Sequence, residues 1–228
     1  RNTLTTITAV LTLTINLVFS QVVINEIHYN PGSAQGSDSD FEFLELYNPG
    51  ATDIDMSGYS FTQGVVHVFA DGTTLAAGGY LVVAINSESY PGSVQWTSGQ
   101  LGNGGEDIEI VDSLGNVVDY VDYEDNSDGW SSNADGGGAS LELIDASSDN
   151  SLAASWQASW VIGGTPGAAS STEPDAAVTT IYNIQYTTDV NGASSVVGDY
   201  VQTSGVVTAV DRIGTNSAFT IQDGTGAW

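Results

Sequence analysis

The chain has 228 residues, which is enough for one or two domains with a substantial hydrophobic core. Its formal net charge is −26, from 28 acidic residues against two arginines, so direct binding to nucleic-acid phosphates or to anionic membranes is disfavoured. Cysteine is absent, which excludes a disulfide framework and a thiolate metal site.

The first twenty residues predict a secretory signal peptide. Arg1 is followed by an apolar, Thr-rich run over residues 4–19, and the small residues Val18 and Ser20 precede a predicted cleavage before Gln21. An ordinary amino-terminal strand is the alternative. The run is too short and too rich in Thr for a membrane span, so we expect no span in the mature chain. We therefore expect a secreted protein or one displayed at the cell surface.

Short strands separated by turn residues are predicted from residue 22 onwards. Residues 22–29 (VVINEIHY) and 41–48 (FEFLELYN) alternate in polarity, and both lead into an Asn-Pro-Gly turn. The apolar strand at 80–85 is predicted to be buried on both faces. A hairpin is predicted to join residues 107–112 to 117–123 through Ser-Leu-Gly-Asn. This pattern is typical of an all-β protein with a β-sandwich and little helix.

Four predicted strands share a glutamate set between aliphatic residues, at Glu26, Glu45, Glu109 and Glu142. Because side chains alternate across a strand, each glutamate faces away from its aliphatic neighbours. We expect these glutamates to form the solvated face of half-buried strands. The alternative is that some of them converge at one end of the sandwich and bind a cation.

Several sequence blocks occur together in a fixed order between residues 22 and 167. They are VVINEIHYNP at 22–31, FEFLELYNPG at 41–50, LAAGGYLVV at 75–83, LGNVVDYVDY at 114–123, GGGASLELID at 136–145, WQA at 156–158 and GGTPG at 163–167. This combination resembles the lamin tail domain, in the version found in secreted bacterial proteins. The resemblance implies an immunoglobulin-like β-sandwich over residues 21–167. It implies little about function, although in nuclear lamins the domain is an interaction module.

The chain changes character after this region. Residues 163–175 (GGTPGAASSTEPD) consist mainly of small residues with Ser, Thr and Pro, and residues 168–177 are predicted to be a linker. Residues 178–228 resemble the opening of an OB-fold of the kind attached to secreted bacterial nucleases, with Gly205 expected as a bulge in a bent strand over 200–210. An OB-fold barrel needs five strands, so we expect this domain to be truncated at Trp228 and the chain to be a fragment.

The strongest candidate for a binding site is the acidic loop that begins at Glu124. Glu124, Asn126 and Asp128 occupy the first, third and fifth positions of a calcium-loop template, Gly129 the sixth and Asp135 the twelfth. Calcium needs several hard oxygens on a sharply turning loop, and this spacing can supply them. The loop lacks flanking helices and departs from the template at both ends. Calcium is the only cofactor that the sequence points to.

Other chemistry has weak support in the sequence. His28 and His67 lie on predicted strands, and neither Cys nor a second local His completes a zinc set. No nucleophile elbow, phosphate-binding loop or HExxH pattern occurs, so enzymatic activity stays uncertain. Carboxylate pairs suited to glycoside hydrolysis and an aromatic platform for sugars stay open as alternatives.

Three functions remain in competition. The first, which we favour, is a non-catalytic interaction or spacer domain of a larger secreted or cell-surface bacterial protein, with an unknown protein or polysaccharide partner. The second is an accessory region of an extracellular nuclease whose catalytic domain lies beyond the C-terminus. The third is a calcium-dependent adhesin or carbohydrate-binding module that uses the acidic loop.

Overall fold

The computed structural model describes residues 22–174, 177–178, 180–185, 194, 196, 201–213, 216–222 and 224. The chain divides into two compact units, residues 1–171 and residues 172–228. Ser170 and Ser171, inside the predicted linker, hydrogen-bond to the first unit: the Ser170 hydroxyl donates to the Leu143 carbonyl at 2.9 Å. The domain boundaries predicted from the sequence stay predictions.

The described part of the first unit consists mainly of short strands. The strands are β1 (Val23–His28), β2 (Phe43–Tyr47), β3 (Ile54–Asp55), β4 (Ser60–Gln63), β5 (Val65–Val68), β6 (Thr74–Leu75), β7 (Tyr80–Ala84), β8 (Val94–Gln95), β9 (Ser98–Gly99), β10 (Glu106–Val111), β11 (Val117–Tyr123), β12 (Leu141–Leu143) and β13 (Trp156–Ala158). Helix is limited to α1 (Asp38–Phe41) and a 3₁₀ turn (Ala153–Ser155). The predicted all-β class is confirmed.

Two sheets form the body of the first unit. The first sheet has six strands in the order β13-β12-β1-β2-β7-β8, and the second has five in the order β11-β10-β4-β5-β9. The short pair β3 and β6 forms a separate ladder. Strands β1 and β12 are far apart in sequence yet pair directly. The first sheet is therefore complete only when strands near the end of the unit pair beside its first strand. The arrangement is consistent with an immunoglobulin-like β-sandwich.

One hydrophobic cluster fills the space between the sheets. Leu44 and Leu46 of the first sheet and Ile108 and Ile110 of the second belong to it, and all four are fully buried. Their period of two along each strand is the cause, since alternate side chains point to the same face. Trp96, in the segment after β7, is also buried in this cluster.

The predicted hairpin at residues 107–123 is confirmed. Strands β10 and β11 pair antiparallel from Glu106↔Tyr123 to Val111↔Val117. Asp112 organises the turn, because its Oδ1 accepts hydrogen bonds from the backbone N–H groups of Leu114 and Asn116. A short polar side chain that bonds to nearby backbone N–H groups is typical of such turns.

Two strand predictions were wrong in detail. The strand expected from residue 41 begins instead at Phe43, because Phe41 ends helix α1, where its N–H donates to the Ser37 carbonyl at 3.1 Å. The strand at 80–85 is not buried along its whole length. Val83 and Ala84 are buried, whereas Tyr80, Leu81 and Val82 are only half-buried. Strand β8 pairs with Val83 and Ala84 alone, which leaves the first half of β7 uncovered on that side.

The described part of the second unit contains β14 (Ala177–Val178), α2 (Ile181–Gln185), β15 (Val201–Gln202), β16 (Val206–Ile213) and β17 (Asn216–Gln222). Strands β16 and β17 form an antiparallel hairpin whose register shifts between Val207 and Ala209. Gly205 precedes β16, so the predicted bulge at Gly205 is wrong, and the irregularity lies further along the strand. The OB-fold stays a prediction, and the turn that the sequence predicts at Asn191 and Gly192 lies outside the described residues.

Among the residues described here, no helix has the length and apolar character needed to cross a membrane.

A core substitution tests the packing between the sheets. Ile110 is fully buried in the cluster, so Ile110→Ala is expected to lower the free energy of unfolding by about 2 to 5 kcal/mol through lost burial and a residual cavity. Val117 is 58% exposed on the neighbouring strand, so Val117→Ala is expected to change the free energy of unfolding by less than about 0.5 kcal/mol. Urea unfolding followed by tryptophan fluorescence measures both. Equal losses for the two variants would contradict the described core.

Candidate functional site

Three glutamates form a row across the outer face of the first sheet. The register pairs Glu142 of β12 with Glu26 of β1, and Glu26 with Glu45 of β2. All three are fully buried. The prediction that these glutamates form a solvated face is therefore wrong for three of the four. The fourth, Glu109, lies in the second sheet and accepts a hydrogen bond from Thr62 at 2.6 Å.

Residues 163–171, called the covering segment below, bury this row. The backbone N–H of Thr165 donates to Glu26 Oε1 at 2.9 Å, and that of Gly167 donates to Glu45 Oε2 at 2.5 Å. The hydroxyl of Thr165 donates to Glu142 Oε1 at 2.8 Å, while the N–H and hydroxyl of Ser171 donate to Glu142 Oε2 at 2.8 and 2.6 Å. Each glutamate thus receives donors from the same short stretch of chain.

Side chains of the sheet complete the set of donors. The Ser140 hydroxyl donates to Glu26 Oε1 at 2.5 Å, and the Asn25 amide donates to Glu45 Oε1 at 2.9 Å. Five of the six carboxyl oxygens in the row accept at least one hydrogen bond. The sixth, Glu26 Oε2, is buried and has no partner among the described residues. An unpaired buried oxygen favours the protonated form of its carboxyl group.

Burial also shifts the proton affinities in the row. Removal from water raises the pKa of Glu26 from 4.5 to about 8, and the hydrogen bonds from Ser140 and Thr165 oppose this shift only in part. The same cause raises the pKa of Glu45 to about 7, against hydrogen bonds from Gly167 and Asn25. The neighbouring carboxylates add to both shifts by repulsion. The raised pKa values therefore place proton uptake by Glu26 and Glu45 in the neutral pH range.

Two further titratable groups are buried in the first unit: Glu42, which directly precedes β2, and His28, the last residue of β1. Burial raises the pKa of Glu42 to about 7, although the Leu101 N–H donates to its Oε2 at 2.8 Å. Burial lowers the pKa of His28 to about 4, and its Nε2 lies 3.2 Å from the Gln35 amide nitrogen. Burial therefore keeps His28 neutral at pH 7.

The four residues predicted to bind calcium lie on the loop after β11. The amide nitrogen of Asn126 donates to Asp135 Oδ2 at 3.1 Å, so the structure brings these two together. Asn30, which the sequence did not point to, donates to Asp135 Oδ1 at 2.7 Å. Asp128 is exposed with φ 51°, and Glu124 is half-buried. Among the described residues, no group of three or more His, Asp or Glu side chains is arranged to hold a metal ion. Calcium binding here stays a prediction.

An open cleft of about 300 Å³ lies beside β7, next to the covering segment. Its first wall is Tyr80, Leu81 and Val82, the half of β7 that β8 leaves uncovered. The loop 89–93 forms a second wall, and Pro166 and Gly167 of the covering segment close the third side. Apolar and aromatic groups therefore dominate the lining, with a few hydroxyl groups, as is typical of binding clefts.

The residues that build this region were only partly visible in the sequence. Glu26, Glu45 and Glu142 were recognised through their shared strand pattern. Ser140, Thr165 and Ser171 were missed, because isolated hydroxyl residues in loops carry no periodic signal. The GGTPG block at 163–167 was the available clue, since two consecutive glycines with φ of 88° and 74° mark a special backbone path.

Gly164 tests the fit of the covering segment. A Cβ atom at Gly164 would clash with Glu26 Oε1 and would lie 2.6 Å from the Ser140 hydroxyl. Glu26 is fully buried and hydrogen-bonded, so it cannot move away without losing donors. We expect Gly164→Ala to destabilise the chain by at least about 2 kcal/mol more than Gly72→Ala, measured by urea unfolding.

Gly72 is the matched control for this comparison. It has φ 83°, close to the 74° of Gly164, but no atom lies within 4 Å of a Cβ built on it. Both variants therefore place an alanine at a positive φ, and only Gly164→Ala adds a clash with neighbouring atoms. Equal destabilisation would contradict the description of the covering segment.

The raised pKa values predict a loss of stability as pH increases. The folded protein holds protons on Glu26 that the unfolded chain releases, so stability is greatest below pH 4.5 for this group and falls as pH rises towards 8. His28 has a lowered pKa in the folded protein, so its contribution to stability rises with pH between about 4 and 6.5. Above pH 6.5 that contribution no longer changes, and the pH dependence reports on the carboxyl groups. Between pH 6.5 and 8 we expect the chain to lose on the order of 1 to 2 kcal/mol relative to Glu26→Gln.

Glu45→Gln is the contrasting variant for the pH experiment. Glu26 Oε2 accepts no hydrogen bond, so the side-chain nitrogen of a glutamine at position 26 can take its place. Both oxygens of Glu45 accept hydrogen bonds, so the side-chain nitrogen of a glutamine at position 45 would face a donor. Glu26→Gln should therefore be tolerated and should flatten the pH profile, and Glu45→Gln should destabilise the fold at every pH. Thermal unfolding at stepped pH values measures both. A parallel profile for wild type and Glu26→Gln would refute the protonation of Glu26.

Comparison with known proteins adds one similarity. Residues 18–125 match the family model described as Lamin Tail Domain, a range that contains β1 to β11 and ends before β12, β13 and the covering segment. No curated protein matches the chain. The resemblance drawn from the sequence blocks is confirmed over the matched range. Over residues 18–125 the chain is similar to the lamin tail domain, a family of immunoglobulin-like domains.

Proposed function

We propose that this chain is a non-catalytic interaction domain of a larger secreted or cell-surface bacterial protein. The observation that carries the proposal is the open cleft beside β7, which lies on a sheet whose buried carboxyl groups are already engaged. Carboxyl groups with raised pKa values often mark catalytic sites. Here, however, nearly every oxygen in the row accepts a hydrogen bond from the covering segment or the sheet. The row therefore serves to fix the scaffold that presents the cleft.

The charge of the chain limits the class of partner. With 28 acidic residues and two arginines, the surface repels phosphate backbones and anionic lipids. Long-range attraction instead favours a partner with positive charge, and short-range apolar contacts in the cleft then supply specificity. A protein partner meets both conditions, and a neutral polysaccharide meets only the second.

The two alternative functions differ in what the chain should bind. An accessory region of an extracellular nuclease would bind or present nucleic acid, and its support is the resemblance of residues 178–228 to an OB-fold. A calcium-dependent adhesin would bind carbohydrate through Glu124, Asn126, Asp128 and Asp135. One binding screen therefore separates all three.

The screen uses the whole chain, immobilised and exposed to a displayed peptide library, a glycan array and single-stranded DNA, each in EDTA and in calcium. The interaction proposal predicts saturable peptide binding in EDTA that soluble chain competes away, with DNA unbound. Calcium-dependent glycan binding would instead support the adhesin, and DNA binding would support the nuclease accessory. Absence of all saturable binding would contradict the proposal.

A further inference from the structure

The outer edge of β7 is the one feature of the cleft that specifies a ligand class. Strand β2 pairs with β7 along its full length, from Tyr47↔Tyr80 to Phe43↔Ala84. On the opposite side, β8 reaches only Val83 and Ala84. No described strand lies beside Tyr80, Leu81 and Val82 on that side. A half-covered strand edge is a template for pairing with another extended segment.

The direction of the backbone groups along this edge follows from two hydrogen bonds. The Ile85 N–H donates to the Glu42 carbonyl at 3.0 Å, on the β2 side, whereas the Ala84 carbonyl accepts from the Trp96 N–H at 3.0 Å, on the β8 side. Backbone groups alternate along a strand, so Tyr80 and Val82 face the same side as Ala84. The N–H and C=O of Tyr80 and the N–H of Val82 therefore point into the open side of the sheet.

The cleft adds side-chain recognition to this backbone edge. Pro91 and Pro166 both line the cleft, and the ring of Tyr80 stacks on Tyr47 at a centroid distance of 4.7 Å. The Ser93 hydroxyl also lines the cleft, and it is buried without a hydrogen-bond partner among the described residues. An open, mostly apolar cleft of about 300 Å³ beside a strand edge suits the apolar side chains of an extended peptide.

Charge decides between the possible peptides. The sequence has no Lys or Arg between residues 22 and 171, and Glu88, next to the wall residue Ser89, is exposed. A second copy of this chain would bring the same excess of negative charge to the edge and would be repelled. An extended segment that alternates basic and apolar residues instead complements both the acidic surface and the apolar cleft.

We propose that the open edge of β7 binds an extended basic peptide by β-strand addition, with the peptide backbone paired to Tyr80 and Val82 and an apolar side chain in the cleft. The inference rests on the proposed interaction function, and it names the partner class and the contact surface. Basic residues of the peptide supply the long-range attraction, and backbone pairing fixes its register.

The probe is the fluorescein-labelled peptide acetyl-(Lys-Val)₄-amide, measured by fluorescence anisotropy with the whole chain. Two further versions carry N-methyl groups on every Val or on every Lys, which blocks one or the other edge of the extended peptide. Only one edge pairs with β7, so one version should lose about tenfold in affinity or more while the other is affected less. The matching Glu-Val peptide should not bind, and affinity should fall as salt rises.

Two variants of the chain test the same contact from the other side. Val82→Pro removes an N–H that faces the open side, a change that an edge strand tolerates because no ladder bond to β2 is lost. Ser89→Trp fills the cleft without touching the strand, and so keeps the test valid if Val82→Pro unfolds. Each should weaken binding by about tenfold or more, and Ser148→Trp, an exposed position outside the cleft, should leave it unchanged.

The outcomes separate this inference from the proposed function. Peptide binding that survives both cleft variants, or that neither N-methylated version weakens, would overturn the strand-addition site. Failure of the Lys-Val peptide to bind would also overturn it, and the interaction function would still stand on any saturable partner found in the screen. Self-association of the chain that Val82→Pro abolishes would replace the basic peptide with a second copy.

Discussion

The burial of three carboxyl groups under the covering segment is the constraint on which the first unit depends. Glu26 and Glu45 lie on consecutive strands and Glu142 on a strand far along the chain, yet the register places all three side by side in one row. Moving a carboxyl group out of water is unfavourable unless hydrogen bonds replace its solvation. Backbone N–H groups of Thr165 and Gly167 supply that replacement, so the last residues of the unit stabilise its first strands.

The absence of Lys and Arg between residues 22 and 171 explains why the replacement comes from neutral donors. Ion pairs with basic side chains cannot form there, so backbone amides, hydroxyl groups and side-chain amides surround the buried carboxyl groups. Protonation lowers the remaining cost, which is consistent with the raised pKa values of Glu26 and Glu45. The same composition leaves the exterior of this region without Lys or Arg to balance its acidic residues. The neutral donors around the carboxyl groups and the basic partner that we propose therefore follow from the same charge imbalance.

The covering segment also links the scaffold to the cleft. Gly167 donates to Glu45 and at the same time lines the cleft with Pro166. Strand β8 is too short to cover all of β7, so the edge of β7 at Tyr80–Val82 remains open. The buried row therefore fixes one wall of the cleft, and a peptide in the cleft would contact an element that the fold already holds rigid.

Local sequence patterns determined the β-sandwich class, the hairpin from β10 to β11 and the lamin tail resemblance, because alternation and turn residues act within a few positions. The sequence also marked Glu26, Glu45 and Glu142 as a group. Only the tertiary structure decided that they are buried, because their exposure depends on the covering segment more than twenty residues beyond the last of them. The tertiary structure also decided that β7 is open on one side, because β8 is long enough to cover only part of β7. Strand patterns report which face a side chain occupies, and long-range contacts decide whether that face meets water.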